Sequence, residues 1–276
     1  MISFTKMHGI GNDFVLVNGF SQSVPEASLR DLSRLMCDRR FGIGSDGLIL
    51  AVQGIELPFR MRMFNPDGSE SEMCGNGIRC VAKFVHDEGL TQLDTIPIET
   101  GAGPLTLELT DGGMVRVDMG PARLLRGEIG MAGSPGEMFI GEPVGFADLQ
   151  MRGTAVSMGN PHLVLFVDDV DAIDLKSVGS QLEHHPLFPQ RVNVHFVELL
   201  SRSHIKQRTW ERGAGATLAC GTGACASAVA AFVNGLAERS LRVTLPGGDL
   251  LVEYSEDGKV FMTGPAETVF KGNWPD

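Results

Sequence analysis

Two copies of one structural unit are encoded in this chain, and that duplication constrains the fold more than any other feature of the sequence. Cys-Gly-Asn-Gly at residues 74–77 and Cys-Gly-Thr-Gly at residues 220–223 each run into apolar residues with helical spacing. A polar residue able to bind a ligand stands nine positions before each cysteine, Asn65 in the first copy and Glu211 in the second. The matching context indicates that the same local structure presents both cysteines.

The repeat extends well beyond the cysteines. A Gly-Asn turn leads into an apolar strand at residues 11–17 and again at residues 159–165. Asn12 lies 62 residues before the first cysteine, and Asn160 lies 60 residues before the second. A repeat of roughly 120 to 140 residues is longer than solenoid periods, so it predicts two similar domains that face each other across a cleft.

The repeat predicts two domains and an α+β fold. The first domain is expected to span residues 1–120, with residues 267–276 returning to it, and the second to span residues 121–266. Each domain is expected to be a curved, mostly antiparallel sheet around a central helix, with the active site in the cleft between the domains. A looser stretch containing Gly and Pro is expected at residues 127–145.

Apolar periodicity and turn residues predict the individual elements. Helices are expected at 25–38, 75–88, 173–183 and 221–234. Strands are expected at 1–6, 47–52, 59–65, 95–99, 104–110, 113–119, 154–158, 162–167, 192–199, 204–210, 241–245, 249–254 and 259–263. The helices that follow the two cysteines end before Gly89 and Gly235, and the second is apolar nearly all round, as expected for a helix wrapped by a sheet.

Composition and charge argue against several classes of function. The chain has 276 residues, of which 43% are hydrophobic and 21% charged, as in ordinary globular proteins. Its net charge of −11 and the lack of a basic stripe argue against a nucleic acid or an anionic membrane as partner. The sequence has neither a signal-peptide pattern nor an apolar run of about 18 residues, so we expect a cytoplasmic protein with no membrane association.

The five cysteines fall into two groups. An odd number in a chain without a secretory signal argues against structural disulfides. Cys37, Cys80 and Cys225 lie among apolar residues of expected helices and are interpreted as buried small hydrophobes. No pair has Cys-x-x-Cys spacing or histidines at ligand spacing, so no metal site is expected. Cys74 and Cys220 are the candidates for chemistry.

A cysteine at the start of a helix suits acid–base chemistry. The helix dipole and the unpaired N–H groups of the first turn lower the pKa of a thiol and favour the reactive thiolate. Neighbouring glycines let backbone donors approach a carboxylate and stabilise the charge that develops when an α-proton leaves. Cys74 and Cys220 could act on opposite faces of one carbon, where a thiolate removes a proton and a thiol returns one. The pattern predicts inversion of a carbon stereocentre.

Other polar residues suit an amino-acid ligand. Asn12, Asn65 and Asn193 offer carboxamides in settings rich in Gly and Pro. Glu211 can accept an ammonium group, and Arg212 can clamp a carboxylate with two hydrogen bonds. From spacing alone, turn residues and a solvated ion pair explain these positions equally well.

Over essentially its whole length the chain resembles the diaminopimelate epimerase family. The matching segments are residues 6–14, 64–69, 73–80, 117–120, 159–162 and 210–223. The resemblance implies a cofactor-independent interconversion of LL- and meso-diaminopimelate, in lysine and peptidoglycan-precursor synthesis, by a homodimer. It also implies that Cys74 and Cys220 form the acid–base pair.

The resemblance further implies which residues bind the small-molecule substrate. Those expected to hold chiefly its distal amino-acid end are Asn12, Asn65, Asn160, Asn193, Glu211 and Arg212, and those expected at the carboxylate of the reacting end are Gly75, Asn76, Gly221 and Thr222. No metal or cofactor is implied. Some members carry a substrate-cleft glutamine where this chain has Gly47, so no site residue is expected there. His162 lies near the site in the family, and packing or hydrogen bonding is at least as reasonable a role for it as catalysis.

Several other enzyme classes compete with this interpretation. A proline or hydroxyproline racemase of the same fold would leave Asn65, Asn193 and Arg212 without an obvious role, and isomerases of this fold that lack the cysteine pair do not explain both cysteines. A pyridoxal-phosphate racemase needs a Schiff-base lysine, for which none of the six lysines has a suitable setting. The G-x-G-x-x-G match at residues 42–47 leads into a strand rather than a helix, which argues against a dinucleotide site.

A non-enzymatic alternative is a protein that binds an amino acid and uses Cys74 and Cys220 as a redox pair. Alkylation of one cysteine separates this alternative from the two-base enzyme. It abolishes turnover by the enzyme, whereas it leaves ligand binding possible in a redox-regulated binding protein.

Overall fold

The computed structural model describes residues 1–146 and 149–275, which form two compact units. One unit comprises Met1–Asp118 and Thr263–Asp276, and the other comprises Met119–Met262. The boundaries expected from the sequence, residues 120 and 266, lie within a few residues of these positions. That each unit is an independently folding domain stays a prediction.

Strands dominate the secondary structure and helices are few, which confirms the expected α+β class. The strands are β1 (Ile2–Gly9), β2 (Asn12–Asn18), β3 (Gly47–Gln53), β4 (Phe59–Phe64), β5 (Glu70–Ser71), β6 (Thr95–Thr100), β7 (Gly103–Thr110), β8 (Met114–Pro121), β9 (Glu142–Phe146), β10 (Leu149–Ser157), β11 (Pro161–Val167), β12 (Asn193–Ser201), β13 (His204–Glu211), β14 (Gly215–Thr217), β15 (Ser240–Leu245), β16 (Gly248–Tyr254), β17 (Lys259–Pro265) and β18 (Glu267–Trp274). The helices are α1 (Leu29–Cys37), α2 (Gly75–Asp87), α3 (Arg126–Ile129), α4 (Leu175–Glu183) and α5 (Gly221–Val233).

Each unit contains a mostly antiparallel sheet, and the order of pairings is the same in both. In the first unit β1/β2, β3/β4, β4/β5, β6/β7, β7/β8 and β1/β18 are antiparallel, and β2/β3 and β4/β6 are parallel. In the second, β9/β10, β10/β11, β12/β13, β13/β14 and β15/β16 are antiparallel, and β11/β12 and β13/β15 are parallel. The two parallel pairs occupy matching places, so the predicted duplication is confirmed.

The Gly-Asn turns of the repeat lie at the hairpins β1/β2 and β10/β11. Gly11 and Gly159 have φ of 83° and 96°, a left-handed conformation that glycine adopts without the steric cost of a Cβ. Asn12 is the first residue of β2, and Asn160 immediately precedes β11. The sequence pattern therefore positions one asparagine at the same turn of each unit.

The helices that follow the cysteines are the central helices of the two units. Helix α2 packs against β1, β2, β3 and β7, and α5 packs against β10 to β13, β15 and β16. In α5 every residue from Gly223 to Ala231 is buried, which confirms the prediction of a helix that is apolar nearly all round. Helix α2 is equally enclosed, and its buried residues include the polar Asn76 and Arg79.

The structure corrects the sequence expectations at several elements. The helix expected from residue 25 begins with a 3-10 turn at Glu26–Ser28, and the α-helix starts only at Leu29. The stretch at 127–145 contains the last three residues of α3 and the first four of β9, and residues 130–141 between them form mainly turns and bends, in keeping with the expected loose segment. Strands β5 and β14 are too short to show a period of two, and β18 is exposed along most of its length, so periodicity did not mark them.

Candidate active site

Cys74 and Cys220 occupy the same structural position in the two units. Each is the N-cap residue of its central helix, and each has extended backbone, with φ/ψ of −143°/119° at Cys74 and −127°/101° at Cys220. The Sγ atom of Cys74 accepts a hydrogen bond from the N–H of Gly77 at 3.5 Å. The Sγ atom of Cys220 lies 3.8 Å from the hydroxyl of Thr222. Both sulfurs are therefore at the positive end of a helix dipole.

Two asparagines meet the sulfur of Cys74. The Sγ atom donates to Oδ1 of Asn12 at 3.7 Å, and Nδ2 of Asn76 donates to the same oxygen at 3.1 Å. Nδ2 of Asn12 donates in turn to Oδ2 of Asp46 at 2.6 Å. Because a carboxylate only accepts hydrogen bonds, Asp46 fixes which end of the Asn12 carboxamide faces the thiol.

Charged side chains surround Asp46. Arg39 bridges Asp46 and Asp13, with its Nη2 atom 2.8 Å from the first carboxylate and 2.6 Å from the second. Lys6 pairs with Asp13 at 2.6 Å and also donates to the carbonyl of Gly44. Burial acts to raise the pKa of Asp13, but hydrogen bonds from Arg39 and Lys6 outweigh it and hold that pKa below its usual range. The side chain of Asn12 is therefore held by a carboxylate that belongs to a network of ion pairs.

A buried arginine holds the first turn of α2. Arg79 is fully buried, and its guanidinium donates to the carbonyls of Gly75 at 3.1 Å and Pro265 at 3.3 Å. It also donates to Oδ1 of Asn76 at 2.9 Å. Because a guanidinium only donates, Asn76 must turn its Nδ2 atom toward Asn12. Arg79 and the Asp46 carboxylate thus fix both carboxamides near Cys74.

In the second unit, hydrogen bonds bring Asn193 and Arg212 together beside Pro161. The backbone N–H of Arg212 donates to Oδ1 of Asn193 at 3.0 Å, and Nδ2 of Asn193 donates to the carbonyl of Pro161 at 3.0 Å. Glu211, the residue before Arg212, accepts from the hydroxyl of Thr217 at 2.5 Å. Arg212 itself is exposed, so its guanidinium is accessible to a ligand.

A series of buried polar side chains extends from Asn160 into the interior of the second unit. Oδ1 of Asn160 lies 2.8 Å from Nε2 of His162, and Nδ1 of His162 lies 2.8 Å from Nε2 of His195. Nδ1 of His195 lies 3.0 Å from the hydroxyl of Thr209 and 3.2 Å from Nε2 of Gln207. Both histidines and Gln207 have no exposed surface, and Thr209 is 2% exposed.

Both of these histidines are neutral near neutral pH. Burial, reinforced by His195 and Arg212, holds the pKa of His162 well below its usual range. Burial also lowers the pKa of His195 to about 3. The pair therefore has two ring protons for four ring nitrogens and carries no charge.

The ring of His195 lies directly against the helix that Cys220 caps. A Cβ atom at Gly223 would stand 2.3 Å from Cε1 of His195, so only glycine fits at this position of the first turn. The matching glycine of the first unit, Gly77, has a looser neighbour, because its Cβ would stand 2.9 Å from the flexible tip of Ile49. His195 therefore sets the close approach of sheet and helix in the second unit.

The five cysteines are all thiols. Cys37, Cys80 and Cys225 are buried. Burial raises the pKa of Cys37, and it raises that of Cys80 to about 12, which disfavours a thiolate at either position. The structure agrees with the interpretation of these residues as small hydrophobes.

The predicted site residues separate into those that contact one another and those that do not. Asn12 and Asn76 adjoin Cys74, whereas the side chain of Asn65 bonds within its own turn, where Nδ2 donates to the hydroxyl of Ser69 at 2.9 Å. The others lie in the second unit or in the first turns of the two central helices: Gly75, Asn160, Asn193, Glu211, Arg212, Gly221 and Thr222. Their binding roles stay predictions.

Sequence reasoning did not find the side chains that support these residues. Asp46 lies inside the G-x-G-x-x-G match at residues 42–47, but that motif is defined by its glycines and indicates no role for the aspartate. Arg79 lies about 100° around α2 from Ile78, beside the apolar stripe rather than within it, so its burial was not evident from the sequence. His195 and Gln207 lie on neighbouring strands, β12 and β13, and no sequence pattern pairs them.

The structure also bears on metal and membrane binding. Within residues 1–146 and 149–275, no group of three or more His, Cys, Asp or Glu side chains is arranged to hold a metal ion. No helix in this part of the chain combines the length and apolar character needed to cross a membrane.

The fold is shared with racemases and epimerases of known structure. A probable proline racemase from Agrobacterium radiobacter matches with a TM-score of 0.70 and 16% identity, covering 100% of this chain and 93% of that chain. A hydroxyproline epimerase from Agrobacterium vitis matches with a TM-score of 0.68 and 14% identity, covering 98% and 91%. A PhzF-family phenazine biosynthesis protein from Bacillus anthracis matches with a TM-score of 0.72 and 18% identity, covering 98% of both. At 14–18% identity, these matches show the shared fold alone.

Sequence similarity points to one family. The sequence profile of diaminopimelate epimerase matches residues 4–125 and 154–269. A diaminopimelate epimerase from Pelotomaculum thermopropionicum is 51% identical, covering 99% of this chain and 98% of the relative. One from Moorella thermoacetica is 52% identical, covering 99% of both. The chain belongs to the diaminopimelate epimerase family, which confirms the resemblance found in the sequence.

Proposed function

We propose that this chain interconverts LL-2,6-diaminopimelate and meso-diaminopimelate without a cofactor, with Cys74 and Cys220 as the proton carriers. The reaction would serve lysine and peptidoglycan-precursor synthesis. The observation that carries the proposal is the position of both cysteines as N-caps of equivalent helices in a duplicated fold. Membership of the family supports the choice of substrate.

In each direction one cysteine acts as a thiolate and the other as a thiol. The thiolate takes the α-proton, becomes a thiol and leaves a carbanion whose charge spreads into the α-carboxylate. The opposite thiol gives its proton to the other face of the α-carbon and becomes a thiolate, so the centre inverts with no net change in protons. The mechanism requires both sulfurs to reach one α-carbon from opposite faces.

The helix starts are proposed to stabilise the charge on the reacting carboxylate. The first backbone N–H groups of a helix lack intrahelical acceptors and can bind an anion. Gly75 and Asn76 supply such groups in α2, and Gly221 and Thr222 supply them in α5. As charge develops on the carboxylate, these fixed donors stabilise the transition state more than the ground state.

The distal amino-acid end of the substrate is proposed to bind mainly to asparagines and to the charged side chains of Glu211 and Arg212. The exposed guanidinium of Arg212 suits the distal carboxylate, and Glu211 suits the distal ammonium. The proposed carboxamides are those of Asn12, Asn65, Asn160 and Asn193. Asn193 accepts one hydrogen bond at Oδ1 and donates one from Nδ2, so a further lone pair and a further proton can serve a ligand.

The proposal extends to a cytoplasmic homodimer whose binding partner is a small molecule. The family resemblance supports the dimer, and the net charge of −11 supports the exclusion of nucleic acid. Light scattering on the purified protein tests the dimer, and a monomeric mass would contradict it.

Proton NMR in deuterium oxide tests the function directly. Reduced protein is incubated with LL-diaminopimelate without added cofactor, and loss of the α-proton signal with growth of the meso isomer is expected. Cys74→Ala and Cys220→Ala are each expected to lower kcat roughly 1,000-fold, because positioned acid–base groups contribute factors of about 10² to 10⁴. Circular dichroism is expected to show an unchanged fold in both variants.

Cys37→Ala is the matched control, since Cys37 is a buried cysteine of α1 and is expected to be dispensable for turnover. Turnover at the wild-type rate by either Cys74→Ala or Cys220→Ala would contradict the two-cysteine mechanism. No exchange by protein with titratable thiols would contradict the substrate, and proline is then tested because a proline racemase shares the fold. Ligand binding that survives alkylation, without any turnover before it, would favour the redox-regulated binding protein.

A further inference from the structure

The proposed mechanism gives no role to the buried polar cluster formed by His162, His195, Thr209 and Gln207. These residues lie on the adjacent strands β11, β12 and β13, and each is 98% buried or more. Burying four polar side chains is costly unless they bond to one another, and such networks hold their members in a single arrangement. The cluster reaches the protein surface at Asn160, which is half-buried.

Proton counting allows this cluster two arrangements. The hydrogen bond between Nδ1 of His162 and Nε2 of His195 needs one donor and one acceptor, and both rings are neutral. The rings are therefore both protonated at Nε2 or both protonated at Nδ1. In the first arrangement His162 donates to Asn160, and in the second it accepts from Asn160.

The two ends of the cluster select the first arrangement. Nε2 of Gln207 faces both Nδ1 of His195 at 3.2 Å and the Thr209 hydroxyl at 2.9 Å, so His195 accepts at Nδ1. Oδ1 of Asn160 faces Nε2 of His162 at 2.8 Å, so His162 donates there. Turning the Gln207 amide over would leave its NH₂ group buried without an acceptor, whereas the present orientation leaves only Oε1 without a partner among the described residues.

We propose that Gln207, His195 and His162 form a one-way chain of hydrogen bonds that directs the Nδ2 group of Asn160 toward the substrate, so that Asn160 donates to a carboxylate oxygen. Nδ2 of Asn160 has no hydrogen-bond partner within residues 1–146 and 149–275, so both of its protons serve a ligand. The inference rests on the proposed function only for the identity of that ligand. The reversed chain would present Oδ1 instead, which suits an ammonium group.

His195 and Gln207 are positioning residues in this scheme, because they act on the ligand only through Asn160. The His195 ring also packs on Gly223 in the first turn of α5. The buried ring of His195 therefore belongs to the hydrogen-bond chain that orients Asn160 and also packs against the helix that Cys220 caps.

Imidazole nitrogen NMR of ¹⁵N-labelled wild-type protein tests the proton positions without any substrate. The signals of His162 and His195 are assigned by their absence from the spectra of His162→Phe and His195→Phe, and both rings are expected to carry hydrogen on Nε2. Hydrogen on Nδ1 of either ring overturns the proposal. This result does not depend on turnover, so a failure of the proposed function and a failure of this inference are distinguishable.

Kinetics of His195→Phe, which keeps a buried ring but breaks the chain, test the consequence for binding. KM for diaminopimelate is expected to rise about tenfold, with kcat changed less than about threefold, because one hydrogen bond to the ligand loses its fixed orientation. His204→Phe is the matched control, since His204 bonds to Thr244 at 2.9 Å at the opposite end of β13 from Glu211, and it is expected to change neither constant. A fall in kcat at unchanged KM in His195→Phe overturns the positioning role.

Discussion

Asn12 and Asn160 stand at the same turn of a duplicated fold, yet the two units hold their carboxamides by different means. Asn12 is held by the carboxylate of Asp46, which belongs to an ionic network with Arg39 at 58% side-chain exposure. Asn160 is held by the neutral ring of His162, which is fully buried. The turn and strand are common to both units, whereas the supporting groups differ.

The first turns of the two central helices differ in the same way. Arg79 stands five residues after Cys74 and holds three acceptors of the first unit, and the matching position after Cys220 is the small residue Cys225. In the second unit the ring of His195, from strand β12, packs against the turn instead. A side chain of the helix stabilises the first turn in one unit, and a side chain of the sheet does so in the other. Backbone geometry therefore defines the site, and different donors and acceptors can support it.

The largest expected effect follows from removing Arg79. Arg79→Met keeps similar volume but removes the buried hydrogen bonds that the guanidinium donates to the carbonyls of Gly75 and Pro265 and to the Asn76 carboxamide. We expect the free energy of unfolding, measured by urea denaturation, to fall by about 3 kcal/mol. The matching variant Cys225→Ala removes one buried sulfur and is expected to cost about 1 kcal/mol. Equal losses from the two variants would show that the two helices are supported alike.

The second-largest expected effect is a difference between the two units in how their stability depends on pH. His162 and His195 stay neutral when folded but take protons near pH 6.5 when unfolded, so the unfolded chain binds more protons as the pH falls. Their contribution to stability is complete above about pH 6.5 and is lost as the pH falls toward the folded value of about 3 for His195. At pH 5.5 the expected loss is roughly 2 to 3 kcal/mol for the pair.

Hydrogen exchange of α2 and α5 measures that difference. The lowered pKa of Asp13 gives a contribution that persists above about pH 4 and is lost only as the pH falls below it, so this contribution to the first unit is intact at pH 5.5. Amides of α5 are expected to lose protection between pH 7.5 and 5.5, after correction for intrinsic exchange, while those of α2 keep theirs. His195→Phe should retain about half of the pH dependence. Equal loss of protection in both helices would contradict a neutral histidine support.

These contrasts show which parts of the structure could be predicted from the sequence. The Cys-Gly-x-Gly starts, the apolar central helices and the Gly-Asn turns depend on local spacing and local backbone conformation, and they were predicted. Asp46, which supports Asn12, and His195, which supports Asn160 through His162, lie 34 and 35 residues away from those asparagines. Strand pairing brings them close, and local patterns do not encode such partners. Strand β18 was missed because it is mostly exposed, and its apolar contacts, such as that of Phe270 with Phe4, are made with a strand from the other end of the chain.

The smallest expected effect is a loss of stability that depends on the salt concentration. Arg39→Gln removes a guanidinium that is largely exposed, and such ion pairs contribute about 0.5 to 1 kcal/mol, so we expect a loss of that size at low ionic strength. At about 1 M salt the Debye length falls to about 3 Å and the difference from wild type should vanish. Gln207→Met is the control, because it removes a neutral buried donor whose contribution does not depend on screening. If urea denaturation gives the same salt dependence for both variants, the distinction between an ionic and a neutral support is wrong.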